Sequence, residues 1–309
     1  MKILRFSQNG HAPRLGAFLG ADRVVDLAAS SAAFLVSRGV SRATAIADAL
    51  FPQSTRAFLE GGIVAQEALA QMLEAAKAGR FEPVTHAAGA VRLHAPIADP
   101  GKLICIGLNY RDHAEESKAQ IPVEPPVFAK WPNAIADPGD PILRPRGCTQ
   151  LDYEVELGAV IGRRCKDVKP EQALDYVYGY TIVHDVSARD FQFRTTQWMA
   201  GKVPDTFAPM GPYIADRAEI PDPHVLSLAT WVNGSQLQNG NTRNFIFDVR
   251  VIVSYLSEHL TLEPGDVIAT GTPAGVGFAR KPPLFLQPGD KVRMEISGLG
   301  VLENPVKDA

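Results

Sequence analysis

The chain has 309 residues, 46% of them hydrophobic, which is enough to bury the core of one large domain or of a small and a large one. Its net charge of -3, without any block of lysines or arginines, argues against nucleic acid or an anionic membrane as a partner. The three cysteines are odd in number and widely spaced, which indicates reduced structural thiols and neither a disulfide framework nor a CxxC pair.

The first ten residues, MKILRFSQNG, alternate apolar and polar side chains and so lack the continuous apolar run of a secretory signal. No later stretch approaches about 18 uninterrupted apolar residues, the length typical of a membrane-spanning helix. We therefore expect a soluble, cytoplasmic protein.

The first part of the chain predicts a small α/β unit. Short strands are predicted in KILRF, RLGAFLG and DRVVDLA. Two helices follow: SRATAIADAL, with Ser41 as the candidate N-cap, and VAQEALAQMLEAAKAG, which ends at Gly79. A proline-punctuated connection comes next. We predict a small N-terminal domain at 1–79, a linker with an entering strand at 80–100, and a catalytic domain at 101–309.

From Lys102 onward, β-rich segments alternate with Pro/Gly turns. The predicted strands are KLICIG, PVFAKW, LDYEVELGAVIG, VYGYTIVHDVS, LATWVNG, DVIATGT and KVRMEI. One clear helix, NFIFDVRVIVSYLSEHL, has apolar residues at every third or fourth position. The fold class is therefore α+β and β-rich.

The strand predicted at 151–162 carries three acids on one face. Side chains alternate along a strand, so Asp152, Glu154 and Glu156 project the same way and repel one another. Protonation, nearby protein cations or a bound divalent metal could relieve this repulsion, and the sequence neighbours on that face offer no cation. Mg²⁺ and Ca²⁺ prefer oxygen ligands, and Asp185, at the end of a later strand, is a candidate third ligand. A solvated acidic face is the alternative.

A second cluster lies in the segment GLNYRDHAEESK. On a helix, His113 and Glu116 share a face at i and i+3, whereas Glu115 points elsewhere. A carboxylate beside a histidine raises its basicity and fixes its tautomer, which suits a general base that activates water. A histidine that caps a helix on a polar surface is the alternative interpretation.

Several motifs together make the sequence similar to a known family. GLNYRDHAEE, LDYEVELGAVIG, HDVSARDFQ, GKVPDTFAPMGP and PGDVIATGTPAGVG occur in the order and at the spacing of the fumarylacetoacetate hydrolase superfamily. The resemblance spans about 98–306 and is strongest to long members with an extra N-terminal region, including the domain-containing-2 type of animals. It implies the mixed β-sandwich roll of that family with a small N-terminal α/β domain, and a homodimer.

The resemblance also implies a metal site. Family members bind Mg²⁺ or Mn²⁺, with Ca²⁺ as a substitute in crystals, through residues that match Glu154, Glu156 and Asp185. It places Asp152 behind the metal ligands, because only the fumarylacetoacetate-specific members have a fourth carboxylate ligand, and that ligand comes from an earlier segment.

The resemblance implies further site residues. The catalytic His/Glu dyad and lysine of the family match His113, Glu116 and Lys202. Positions that line the substrate pocket in similar enzymes match Tyr110, Lys130, Arg189, Gln192 and Thr272.

The activity implied first is metal-dependent hydrolysis of the C–C bond of a 2,4-dioxo acid such as an acylpyruvate, through a metal-bound enolate. The dyad would activate water and Lys202 would steady the oxyanion. The same site would also support an oxaloacetate tautomerase or decarboxylase, or a 2-hydroxymuconate-type isomerase of aromatic catabolism. An alternative of another class is a non-catalytic protein that the metal merely stabilises.

Two smaller expectations concern glycines and tryptophans. The stretch GTPAGVG lacks the spacing of a phosphate-binding loop, so we predict a turn whose backbone approaches a substrate carboxylate. Trp131, Trp198 and Trp231 are predicted to be packing residues.

Overall fold

The structure is a computed structural model that describes residues 1–309. The strands are β1 (Lys2–Ser7), β2 (Arg14–Leu19), β3 (Arg23–Asp26), β4 (Thr85–Ala87), β5 (Arg92–His94), β6 (Leu103–Ile106), β7 (Val127–Lys130), β8 (Ile135–Ala136), β9 (Ile142–Arg144), β10 (Leu151–Asp152), β11 (Val155–Ile161), β12 (Val177–His184), β13 (Ser187–Ala188), β14 (Ala208–Asp216), β15 (Ser227–Val232), β16 (Ser235–Asn241), β17 (Val267–Ala269), β18 (Lys291–Ile296) and β19 (Gly300–Asp308). The helices are α1 (Leu27–Ser37), α2 (Ala43–Leu50), α3 (Thr55–Glu60), α4 (Gly62–Lys77), α5 (Arg111–Glu116), α6 (Pro170–Ala173), α7 (Arg189–Gln192) and α8 (Val249–His259).

One large mixed sheet runs through most of the molecule. Its main path is β4-β3-β2-β1-β14-β12-β11-β17-β6-β7, and all pairs along it are antiparallel except β17 with β6. A second sheet has the order β16-β15-β18-β19-β9. Strands β15 and β18 of the second sheet pack against β11 and β12 of the first. The interior between them is filled by alternating apolar side chains, as expected for stacked sheets.

The N-terminal strands belong to the same sheet as the rest of the chain. Ile3 of β1 pairs with Ile214 of β14, more than 200 residues later in the sequence. A single core of 69 buried residues includes side chains from both regions. The domain division at 79–100 stays a prediction, and the hydrogen-bonded sheet crosses it.

The helices of the N-terminal part differ in detail from those predicted. Helix α2 begins after Arg42 without a side-chain cap, so the Ser41 cap is wrong. Helices α1 and α3 were not predicted, although Asp26 and Ser54 cap them by accepting backbone N–H bonds. No helix in the structure has both the length and the apolar character that crossing a membrane requires.

The segment predicted as one strand at 151–162 is broken. Strand β10 ends at Asp152 and pairs with β13, whereas β11 begins at Val155 and pairs with β12 and β17. The backbone leaves the ladder at Tyr153 and Glu154, where the N–H of Asp185 donates to the carbonyl of Glu154. Asp152 therefore lies on a different strand from Glu156 and does not join the group of convergent acids.

Candidate active site

Three buried carboxylates meet where β11 and β12 lie side by side. Oxygens of Glu154, Glu156 and Asp185 lie within 4.8 Å of one another. Glu156 is on β11, and Asp185 follows the last residue of β12, which the pairing of Val155 with His184 brings alongside Glu154. The predicted convergence of these three acids is thus present in the fold.

Protein cations surround this acidic triad, although its sequence neighbours offer none. The Lys202 ammonium lies 2.9 Å from Glu154 Oε2 and 2.6 Å from Asp185 Oδ2. Lys130 Nζ lies 2.7 Å from Asp185 Oδ1, and Arg189 donates to Glu154 Oε1. These cations reduce the repulsion among the three carboxylates, and they reach the triad only through the tertiary fold.

The charges of the buried cluster do not balance when all its carboxylates are ionised. Four carboxylates, those of the triad and Asp152, face three cations, Lys130, Lys202 and Arg189, so full ionisation leaves one negative charge in excess. Buried charges are costly unless they are compensated, so this cluster favours one more positive charge.

The two glutamates have opposite pKa shifts. Burial alone would raise the pKa of Glu154, but the positive charges of Arg189 and Lys202 outweigh burial and lower it below its usual range. Burial raises the pKa of Glu156, and repulsion from Asp185 and Glu154 raises it further. The Gly271 N–H, 2.8 Å from Glu156 Oε2, offsets only part of this rise.

The donor set fits a hard divalent cation. All three triad residues line one cavity, offer carboxylate oxygens only, and include one carboxylate that no protein cation contacts. Oxygen-only donors of this kind suit Mg²⁺, Mn²⁺ or Ca²⁺ rather than zinc.

The predicted dyad lies on α5, at the edge of the same cavity. His113 Nδ1 lies 2.8 Å from Glu116 Oε1, and Glu116 Oε2 accepts from the Gly275 N–H at 2.8 Å. An ionised carboxylate only accepts, so Nδ1 carries the proton and Nε2 keeps its lone pair for proton transfer. The pairing differs from the alternative of a helix cap on a polar surface, because His113 is buried.

The cavity has a volume of about 220 Å³ and an aromatic wall. Its apolar lining includes Phe128, Phe193, Trp198 and Phe278. The expectation that Trp198 only packs is therefore incomplete, since its ring meets Phe128 edge-on at 5.7 Å and also borders the cavity. No spacing rule marks these aromatic residues, because they come from four separate segments.

The predicted pocket residues divide into two groups. Arg189, Gln192 and Thr272 line the cavity, whereas Tyr110 and Lys130 are fully buried outside its lining. Lys130 Nζ donates to three backbone carbonyls as well as contacting Asp185, so it lies behind the triad. Arg189 Nη1 donates to Gln192 Oε1 at 3.0 Å.

The glycine-rich stretch contacts protein carboxylates. The N–H of Gly275 donates to Glu116, and the N–H groups of Gly277 and Phe278 donate to Asp152 at 2.7 and 3.1 Å. With the Gly271 N–H on Glu156, three acids of the chain itself accept from this stretch. The expectation that its backbone approaches a substrate carboxylate stays a prediction.

Comparison with known sequences shows that the chain belongs to the family that its motifs resemble. Residues 102–307 match the family described as fumarylacetoacetate (FAA) hydrolase C-terminal. The fumarylacetoacetate hydrolase domain-containing protein 2 homolog of Dictyostelium discoideum is 52% identical over 227 residues, covering 70% of this chain and 74% of that protein. The mitochondrial oxaloacetate tautomerase fahd2 of Xenopus laevis is 48% identical over 218 residues, covering 70% and 68%. The predicted resemblance to domain-containing-2 type members is confirmed.

Solved structures of other proteins match the whole chain. The fumarylacetoacetate hydrolase of psychrophilic Exiguobacterium antarcticum is 36% identical with a TM-score of 0.77, and all of each chain is covered. The maleylpyruvate hydrolase of Sphingobium sp. SYK-6, in complex with manganese (II) ion and pyruvate, is 28% identical with a TM-score of 0.76 and the same coverage. The predicted β-rich α+β fold class is confirmed.

Proposed function

Because the chain belongs to the fumarylacetoacetate hydrolase family, we propose that it is a divalent-metal-dependent enzyme that moves a proton at C3 of a small 2-oxo acid. Oxaloacetate is the first candidate substrate, since a relative that is 48% identical is named oxaloacetate tautomerase. The observation that carries the proposal is the hydrogen-bonded His113–Glu116 dyad at the edge of the cavity that the acidic triad lines.

Glu154, Glu156 and Asp185 would hold the metal ion. Bound there, a divalent ion supplies positive charge that stabilises negative charge developing on the oxygens of a 2-oxo acid. The Lys202 ammonium also lines the cavity and adds a second positive charge to it. The triad residues are at most 5% exposed, so the surrounding protein shields their charges from bulk solvent.

His113 would be the general base and acid. Its Nε2 would take a proton from C3 of the keto form, and the C2 oxygen would gain a proton to give the enol; in the reverse direction that oxygen loses its proton and Nε2 returns one to C3. Glu116 orients the ring and stabilises the positive charge that His113 gains. The Gly275 N–H in turn fixes the Glu116 carboxylate.

Hydrolysis of a 2,4-dioxo acid is the second candidate, and the motifs alone favour it. The same dyad can activate water for attack at C4, with Lys202 beside the oxyanion that forms. A structurally similar maleylpyruvate hydrolase supports it, at 28% identity. We rank it second because that identity is lower than the 48% of the tautomerase.

Ultraviolet assays of oxaloacetate enolisation and of acylpyruvate cleavage, each with Mn²⁺ and with EDTA, test both candidates. We expect Glu116→Gln to lower kcat for enolisation by about 10²–10⁴-fold, because His113 loses its orienting carboxylate. Glu115→Gln is the matched control, since Glu115 is exposed on the same helix turn and should keep near wild-type activity.

Each result of these assays decides between the candidates. Turnover of the acylpyruvate alone would favour hydrolysis over tautomerisation. Turnover of neither substrate would reject both enzymatic proposals and favour the non-catalytic alternative.

A further inference from the structure

A short loop connects the two halves of the site. Residues 275–278 follow β17, and their N–H groups reach the dyad through Glu116 and reach Asp152 on the other side. Gly275 cannot carry a side chain, since its φ is +104° and a Cβ would lie 2.2 Å from the Leu237 carbonyl oxygen. At Gly277 a Cβ would lie 2.0 Å from the Leu284 carbonyl oxygen and 2.5 Å from Asp152 Oδ1. The loop can approach its neighbours this closely only because glycine occupies positions 275 and 277.

Asp152 is completely buried and accepts four hydrogen bonds. Oδ1 accepts from the N–H groups of Tyr153 at 2.9 Å and Gly277 at 2.7 Å. Oδ2 accepts from Arg189 Nε at 2.8 Å and from the Phe278 N–H at 3.1 Å. Asp152 does not line the cavity, so it has no direct access to substrate.

Arg189 carries the connection on to the metal site. Its guanidinium donates to Asp152 through Nε and to Glu154 through Nη2. The guanidinium also stacks over the ring of Phe278, and Arg189 Cζ lies 4.5 Å from the centre of that ring. Asp152 thus holds both the loop and the arginine that positions Glu154.

We propose that Asp152 is a positioning residue that fixes the metal ligand Glu154 and the His113–Glu116 dyad relative to each other. It acts on Glu154 through Arg189 and on the dyad through the 275–278 loop. This inference rests on the proposed function, because it assumes that Glu154 binds a metal ion and that the dyad is catalytic. Its test measures metal binding and amide exchange, so it does not depend on which reaction is catalysed. Residues that orient metal ligands from behind typically change metal affinity when they are replaced.

The chemistry of the carboxylate explains why no other side chain can replace it. In Asp152→Asn, either orientation of the amide places its NH₂ against two donors, so two hydrogen bonds are lost. Asp152→Glu keeps the charge opposite Arg189, but its extra methylene shifts the carboxylate away from the position at which Asp152 accepts from the backbone N–H groups of Tyr153, Gly277 and Phe278. Asp152→Asn thus removes the negative charge, whereas Asp152→Glu keeps the charge and moves the carboxylate.

Isothermal titration with MnCl₂, in the absence of substrate, tests the proposal. We expect Asp152→Asn and Asp152→Glu each to raise the Kd for Mn²⁺ by about 10–100-fold. The matched control is Asp190→Asn on the same helix as Arg189, because Asp190 accepts only from Thr149 and the Cys148 thiol and from no group of the cluster. We expect this control to stay within about twofold of wild type.

Amide hydrogen exchange of Gly275, measured by NMR, tests the link to the dyad. This N–H contacts Glu116 and not Asp152, so faster exchange in both Asp152 variants but not in Asp190→Asn would report a displaced loop.

Wild-type Mn²⁺ affinity in Asp152→Glu, or unchanged exchange at Gly275 in both variants, would overturn the proposal. If one Asp152 variant does not fold, the other is decisive. If the wild type binds Mn²⁺ and the variants behave as expected, but no 2-oxo acid is turned over, the proposed function alone fails.

Discussion

Glu156 favours metal binding but lowers the stability of the metal-free protein. No protein cation contacts its carboxylate, and burial together with repulsion from Asp185 and Glu154 raises its pKa. The unfolded chain ionises Glu156 near the usual value of about 4.3, whereas the metal-free folded chain resists ionisation. The stability of the metal-free protein therefore decreases as pH rises from that value toward the raised pKa.

We expect Glu156→Gln to stabilise the metal-free protein and to abolish Mn²⁺ binding. The neutral amide can still accept from the Gly271 N–H and removes the cost of a buried charge. In EDTA, urea unfolding should give a gain of about 1–2 kcal/mol at about pH 8, shrinking toward about pH 4. The exposed Glu115→Gln is the control. A metal-free variant less stable than wild type at both pH values would contradict this account.

At the residue scale, sequence motifs predicted which acids converge and that His113 pairs with Glu116, but not which cations contact the acids. Glu154, Glu156 and Asp185 converge as predicted, and His113 meets Glu116. Local alternation could not show that the strand breaks after Asp152. The three cations of the cluster come from distant segments, so only the folded chain reveals which of these acids each cation contacts.

Contact between separate elements shapes the cavity. Gly107 follows β6, and a Cβ there would lie 2.5 Å from Cζ3 of Trp198. Trp198 is on a short 3₁₀ turn and lines the cavity beside Phe128. The absence of a side chain at Gly107 therefore sets the position of one aromatic wall.

We expect Gly107→Ala to push Trp198 out of place and to lower kcat/KM by up to about 10²-fold, with a small change in Tm. Steady-state kinetics and the fluorescence of the tryptophans measure the two effects. Gly89→Ala is the matched control, because a Cβ at Gly89 meets nothing within 4 Å. Equal kinetics in both variants would show that this wall does not contact the substrate.

At the element scale, periodicity predicted β6, β7, β11, β12, β15, β17 and β18 but missed β8, β9, β16, β19 and β14. Strand β14 contains two prolines and a glycine, which usually interrupt a strand, and one of its pairing partners, β1, lies far away in the sequence. Tertiary pairing decides its conformation, so local propensity could not predict it.

At the scale of the whole molecule, the N-terminal strands complete the main sheet. The side chains of Ile3, Leu4 and Phe6 on β1 are fully buried. Removing β1 would expose both this apolar surface and the hydrogen-bonding edge of β14. The homodimer and the cytoplasmic location stay predictions.

We expect a chain shortened to residues 102–309 to aggregate or to unfold without cooperativity. The reason is that it lacks β1, which covers the edge of β14 in the full chain. Size-exclusion chromatography and thermal unfolding, compared with the full chain, measure this. A monodisperse shortened chain with a sharp transition would instead support the predicted independent domain.

The pairing of β1 with β14 also bears on how the protein is made. Ile3 leaves the ribosome about 211 residues before its partner Ile214, which corresponds to roughly 10–40 s of translation. During that interval β2 is available to β1 through a nearby hairpin, and β5 pairs with Arg5–Ser7 on the opposite edge. The Lys2–Ile3 part of that edge stays without its final neighbour. Newly synthesised chains thus go through a period in which chaperones, or premature association with another nascent chain, could compete for that edge.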